Sequence, residues 1–317
     1  MPTSFDTPIL IIIFNRPDTT SKVFEVIRKI KPNKLFVAAD GARHSIKNEI
    51  NKCKQAREIF NQVDWPCELQ LLFRIENLGC RMAVSSSIDW FFKQVDYGII
   101  LEDDILPDLT FFQFCQEMLL KYKDDYRIYH INGANFQDGQ KRGDGSYYFS
   151  NFPIIWGWAT WRDRWACYDI DMKDFPHNLK KLQKIKIIDK KSAQLRFLKH
   201  FELMYKKKHN TWDTQWVYRI WSKSGISITP NCNLVRNIGT ENNSTHNFLR
   251  DSKRDDMQLK TIDFPLVIPS YLSVSMKADV YLYNNIYGYN ILRLLRILRE
   301  NKVTYILKHI YGKLKVN

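Results

Sequence analysis

Tyr97-Gly-Ile-Ile-Leu-Glu-Asp-Asp104 is a short apolar run that drives straight into three consecutive carboxylates. Like charges at such spacings cost about 1 kcal/mol per pair even in water. A strand end keeps Glu102, Asp103 and Asp104 together where a cation or hydrogen-bond donors are expected. Hard divalent ions such as Mg²⁺ and Mn²⁺ are held by one or two carboxylates plus the phosphates of a substrate. Open α/β sheets hold their ligands at the carboxyl ends of strands. The stretch therefore predicts a metal–diphosphate site at a strand exit. The plainer reading is a solvated loop before a helix capped by Asp108, but the fully apolar strand beside it argues for a purpose.

Outward from this strand, the first half alternates strand and helix signals. Pro8–Phe14 is a continuous β-branched run of the kind buried on both faces of a parallel sheet. A helix with Asp18 as cap runs to about Ile30, a strand covers Lys34–Ala39, and a helix covers roughly Lys47–Gln62. A strand near Glu68–Phe73 and a helix over Arg81–Lys93 lead into Tyr97–Leu101, and a helix over Leu109–Tyr122 follows. This order predicts βαβ units and a largely parallel sheet flanked by helices. Residues 1–125 are the expected ligand-binding half, and 126–265 a second half of the same domain. The second half carries strand candidates at Ile128–Gly133 and Tyr147–Ser150, then helices at about Leu179–Lys208 and Thr214–Lys223. Lys180–Lys208 holds eleven basic residues and reads as an insertion or surface excursion.

Each early strand ends in a polar cluster: Asn15-Arg16 after the first, Asp40-Gly41-Ala42-Arg43 after the second, and the acids after the fourth. Parallel strands bring these ends to one edge. There a guanidinium can pair with phosphate, a carboxylate can read a base or ribose, and a metal can bridge a diphosphate. Glu76-Asn77-Leu78-Gly79-Cys80-Arg81 opens the third helix, with Arg81 near its positive N-terminus. Taken singly, Arg16 is a surface ion pair, Asp40-Gly41 a turn and Asn77–Arg81 a helix cap. Convergence is what makes them interesting. No Gly-x-Gly-x-x-Gly or Walker loop exists, which removes support for dinucleotide and ATPase readings.

Phe149–Trp165 is the densest aromatic region. Trp161 and Trp165 read as core. Trp156-Gly157-Trp158 is the better candidate for sugar contact, because ring faces suit sugars and glycine allows close backbone approach. In Thr211-Trp-Asp-Thr-Gln-Trp216, Asp213 is an acid between tryptophans, a setting that tunes a carboxylate toward general-base work. Its position also suits a helix N-cap. His246 lies in a polar loop, Asn231–Phe248, that could order over a diphosphate. The segment 266–317 reads as a helical extension. Within it Asn290–Leu314 forms a basic amphipathic helix or helix pair, fit either to pack on the domain or to meet an anionic membrane surface.

The 317 residues, 44% hydrophobic and 26% charged, describe a globular chain with a full core. A net charge of +14 calls for an anionic partner. Nucleic acid is disfavoured, since the aromatics are not interleaved with Lys/Arg on repeated strands. The six cysteines show no Cys-x-x-Cys pair, no apolar run spans a bilayer, and Met1–Asp6 lacks signal-peptide features. The expectation is a cytoplasmic protein with reduced thiols, peripheral at most on the inner face of the cell membrane.

Taken in order, Phe14-Asn-Arg-Pro17, Ala39-Asp-Gly41, Asn77-Leu-Gly-Cys-Arg81, Leu101-Glu-Asp-Asp104, Trp156-Gly-Trp-Ala-Thr-Trp161, Trp212-Asp-Thr-Gln-Trp216 and the late histidine loop form a recognisable series. Over about residues 8–250 it resembles GT-A-fold glycosyltransferases of the N-acetylglucosaminyltransferase I-like kind, most closely their bacterial hemolytic-protein-like relatives. The resemblance implies a metal-dependent inverting transferase that moves a hexosyl or N-acetylhexosaminyl group from a nucleotide-diphosphosugar donor, usually UDP-linked. The acceptor would be a saccharide or lipid-linked hydroxyl, in bacterial surface polysaccharide assembly. It implies Mn²⁺ (or Mg²⁺) on Asp104, with Glu102 and Asp103 orienting ribose and donor sugar. Arg16 and Asp40 would lie at the nucleotide, Arg81 near the diphosphate, and Asp213 would be the base. The eukaryotic enzymes show Trp-Asp-Asp-Trp where this chain has Trp-Asp-Thr-Gln-Trp. The competing classes are a non-catalytic membrane-active or carbohydrate-binding protein and a sugar nucleotidyltransferase.

Overall fold

The run Ile9–Ile13 forms β1 and is buried along its whole length, because strands lie on both sides of it and helices cover the sheet. The computed structural model describes residues 5–239, 254, 256–288 and 295–297. Strands β2 (Lys34–Ala39), β3 (Glu68–Phe73) and β4 (Tyr97–Glu102) join β1 in parallel. The helices between them are α1 (Pro17–Ile30), α2 (Glu49–Glu58) with a 3₁₀ turn to Gln62, and α3 (Gly79–Phe92). The sheet continues through β6 (Ile128–Asn132), β7 (Tyr147–Ser150), β8 (Trp158–Trp161) and β9 (Ile226–Pro230), in the spatial order 3-2-1-4-8-6-9-7. Only β8 and β7 run antiparallel to their neighbours. The fold is thus α/β with one mostly parallel central sheet, and both halves of the chain contribute to it.

Helix ends follow local chemistry. Pro17 occupies the first turn of α1, where its missing N–H costs nothing and its fixed φ suits the helix, so Arg16 rather than Asp18 is the N-cap residue. Asp108 caps α4 (Leu109–Lys121) by accepting from Thr110 N at 2.9 Å. A single helical turn, α5 (Arg162–Trp165), follows β8 directly. A separate antiparallel pair, β5 (Ile105–Pro107) with β10 (Val235–Asn237), folds the late chain back beside the acidic triplet.

Two expectations need correction. Lys180–Lys208 is not one helix. It is α6 (Phe175–Lys184) and α7 (Lys191–Tyr205) joined by an elbow, and Leu182, Ile187, Ile188, Ala193, Leu198, Phe201 and Met204 are buried beneath its lysines. Apolar residues on one helical face outweigh the charge of the other. Trp158 is not a surface contact either. It lies in β8 between β4 and β6, 1% exposed, with His130 stacked on it at 4.8 Å and Trp212 at 6.0 Å.

The segment 256–288 is part of the body. Ser275 caps α9 (Met276–Leu282), and a π-helical turn, Tyr283–Tyr287, follows. Asp279 is fully buried and accepts from Ser150 Oγ (2.6 Å) and Asn151 N (3.1 Å), which fastens α9 to the end of β7. Of the expected tail helix only 295–297 is described; there Arg296 Nη2 donates to Asn285 O at 3.2 Å. The rest of that expectation, and His246 with its loop, lie outside the described residues. No helix among the described residues is long and apolar enough to cross a membrane, and the six cysteines are free.

Candidate active site

The chain leaves β1 to build β2 and β3 on one side, then returns through α3 to lay β4 on the other. The carboxyl ends of β1 and β4 therefore flank a topological switch point, where a doubly wound sheet opens a crevice. Ile12 pairs with Glu102, so the acids continue alongside Ile13–Asn15. Asp103 N donates to Ile12 O at 3.0 Å, and Phe14 N donates to Asp103 Oδ2 at 2.9 Å. Arg16 Nη1 bonds Asp104 Oδ2 and lies 3.5 Å from Asp103 Oδ1.

Burial pushes the carboxyls of Glu102 and Asp103 above the usual carboxylate range, and the neighbouring Asp104 pushes them further. Arg16 works the other way on both. Burial opposes its own charge, yet the attraction of Asp103 and Asp104 more than restores it. With Arg16 alone to balance them, the three acids are not all readily charged at once.

Gly239 backs onto this corner because β10 pairs with β5 and Ile238 N donates to Asp104 O at 2.8 Å. A Cβ on Gly239 would collide with Asp104 Oδ2 and lie 2.9 Å from Arg16 Nη1. Nothing in the sequence spacing points to this approach.

Asp40 is held by four hydrogen bonds. Its Oδ1 accepts from Gly41 N and Leu78 N, and its Oδ2 from Gly79 N and Asn77 Nδ2, all at 3.0 Å. These four bonds fill its acceptor directions and fix the start of α3, where Gly79 has φ +73°. Asn77 Nδ2 also donates to Gly41 O at 2.7 Å. Asp40 and Asn77 thus shape the rim as a pair. Arg81 is partly buried and turned toward Ile170 O and Asp171 Oδ1, each 2.9 Å away. Asn15 Nδ2 donates to Glu49 Oε1 at 2.7 Å, and the buried Glu49 also accepts from Arg43. Arg43 holds the Glu49 carboxyl below its usual range. Glu49 was not foreseen, since a single acid in a polar helix leaves no periodic mark.

Asp213 begins α8 (Asp213–Ser222) as its first helical residue, with Trp212 at the cap position. Trp212 and Trp216 are buried against Trp158 and anchor the helix start in the core. Asp213 is left half-buried at the surface of that anchor. Its Oδ1 accepts from Thr211 Oγ1 and from Thr214 N (2.7 Å) and Oγ1 (3.3 Å). Both threonines stand in the quoted motif, but their role as partners of the acid was not foreseen.

The two corners meet at the head of α3. Asn210 Nδ2 lies 3.3 Å from where a Gly79 Cβ would stand. Cys80, an exposed residue, still has its thiol pushed up to about 12, first by the protein around its sulfur and then by Glu102, Asp213 and Asp40. Glu102 likewise feels Asp213. Tyr287 reaches the same region: burial raises its hydroxyl first, and Asp213 adds to the rise. Trp156 is half-buried and edge-on to Phe136 at 5.3 Å. Gly157 has φ +56°, and a Cβ there would meet Val235 Cγ1 at 2.8 Å, so its role is close packing.

Neither a family model nor a curated protein matches the sequence. Among solved structures, the fold is similar to mannose-1-phosphate geranyltransferase from Thermus thermophilus, at 10% identity over 71% of this chain and 73% of that one, with a TM-score of 0.37. It is also similar to UDP-glucose pyrophosphorylase complexed with UDP-glucose, at 11% identity over 70% and 90%, TM-score 0.36. A third is HddC from Yersinia pseudotuberculosis, at 8% identity over 50% and 77%, TM-score 0.30. Likenesses this loose say nothing about activity.

Proposed function

We propose that the protein is a metal-dependent inverting glycosyltransferase of the GT-A kind, taking a nucleotide-diphosphosugar, UDP-linked in the first instance, to a saccharide or lipid-linked hydroxyl. One observation carries this reading. An acidic cluster opens into the switch-point crevice, and a second half-buried carboxylate, Asp213, faces the same region from another element.

The donor set suits Mn²⁺ or Mg²⁺. It is all hard oxygen, and among the described residues no three metal-binding side chains cage an ion by themselves. Ions of this kind commonly take the rest of their ligands from substrate phosphates and water. Asp104 would hold it, with Glu102 and Asp103 toward the ribose and donor sugar. Bound there, the ion supplies charge neutralisation for a departing diphosphate. Arg16 adds a permanent cation on the same side. Asp213 takes the acceptor's proton as that oxygen attacks the anomeric carbon opposite the nucleotide. The C–O bond to the diphosphate breaks as the new glycosidic bond forms, and the configuration inverts. Thr211 and Thr214 hold Oδ1 and leave Oδ2 for the acceptor.

The test is a panel of nucleotide sugars with Mn²⁺, read by NMR of the products. Metal-dependent release of a nucleoside diphosphate is expected. Formation of pyrophosphate and sugar phosphate instead would assign nucleotidyl transfer. Neither binding nor turnover of any donor would remove the enzymatic reading.

A further inference from the structure

We propose that the elbow between α6 and α7 is a docking surface for an anionic membrane. The elbow encloses a groove of about 500 Å³. Its floor is aliphatic: Ile188 and Leu198 are buried, Ile185 is half-exposed, and Leu195 is 54% exposed at the mouth. Its rim carries Lys184, Lys186, Lys190 and Lys191. Lys186 pairs with Asp189 at 2.9 Å, and Lys190 donates to Asn284 Oδ1 at 3.2 Å. Lys184 and Lys191 have no carboxylate partner among the described residues.

The shape is fixed by the fold. Gln194 Nε2 donates to Leu182 O (2.7 Å) and Ile185 O (2.6 Å), so the last carbonyls of α6 are satisfied by a side chain from α7. Residues 180–208 hold eleven basic against two acidic side chains, which is most of the chain's +14 excess.

Charge and surface together select the occupant. Lysines are flexible point charges without the bidentate fork or backbone nest that captures a free phosphate. A free anion would have no use for an exposed leucine among them, whereas acyl chains would cover it. No aromatic side chain lines the groove, so nucleic-acid bases would find no stacking platform. An anionic bilayer uses both features, the lysines at headgroup level and Leu195 below them. α7 also packs on α8, where His200 Nε2 lies 3.3 Å from Thr214 Oγ1. The binding itself is independent of what Asp213 does.

The experiment is sedimentation of the full chain with phosphatidylcholine vesicles, with and without phosphatidylglycerol, at near-physiological salt. Binding is expected only with the anionic lipid. Lys184→Glu/Lys186→Glu/Lys191→Glu should weaken it roughly 100-fold, at several-fold per lysine, and Leu195→Asp should weaken it separately. Lys47→Glu/Lys52→Glu/Lys54→Glu at α2 and the turn before it, the same change in charge, should have little effect. All the substituted side chains are exposed, and unchanged melting curves will show that folding is kept. Wild-type partition of the elbow variant overturns the proposal, as does equal loss in the α2 variant. Elbow-dependent binding of an oligonucleotide without vesicle binding assigns nucleic acid instead.

Discussion

Asp213 and Asp104 are where single atoms decide the proposed chemistry. Asp213→Asn keeps the size of the side chain and its contacts with Thr211 and Thr214 but removes the base. Turnover should fall about 10²–10⁴-fold with donor affinity nearly unchanged. Steady-state kinetics beside calorimetry measures both, and near-wild-type turnover removes Asp213 from the mechanism. Asp104→Asn should abolish the Mn²⁺-dependent part of UDP affinity, and unchanged affinity by calorimetry would count against its metal role. At this scale the position of the acidic triplet at the exit of β4 was legible, because the apolar run before it marks the strand. Trp158 was not. The composition of Trp156-Gly157-Trp158 advertises ring faces, but which ring points inward depends on β8 lying between two strands, and that is a long-range fact.

Among the elements, β10 and α9 carry the clearest consequences. Gly239→Ala puts a methyl group against both Asp104 and Arg16. Donor affinity should drop about tenfold or more while the melting temperature moves little, which binding and thermal unfolding together will test. Asp279 has its carboxyl raised to about 6, by burial first, with the bonds from Ser150 and Asn151 pulling the other way. The folded chain then binds more protons than the unfolded one between about pH 4 and 6, so stability falls as pH rises through that window. Asp279→Asn removes this slope. Relative to the parent, the variant should gain up to about 3 kcal/mol between pH 4 and pH 7 in urea unfolding. Parallel strands β1, β2 and β4 are legible as largely apolar runs, and the ranges of β2 and β3 agree with the expectation to the residue. β8 and β9 are not, since short antiparallel or mixed strands rich in Trp, Ser and Thr resemble turns. The break between α6 and α7 is hidden by a lysine pattern that continues across it.

For the molecule as a whole, a strongly basic chain carries one acidic corner, and its excess charge favours anionic partners. The contact between Arg16 and Asp104 adds a thermodynamic lock to that arrangement. On the proposed function, an incoming ion would compete with the arginine for the same oxygen, and a diphosphate would offer the arginine a second anion beside Asp103. Either ligand alone would disturb the pair, while the two together would compensate each other. Linkage makes this reciprocal: the factor by which Mn²⁺ tightens UDP must equal the factor by which UDP tightens Mn²⁺. Titrations run in both orders should return one shared coupling constant, and Arg16→Gln should shrink it, leaving the ion able to enter first and unaccompanied.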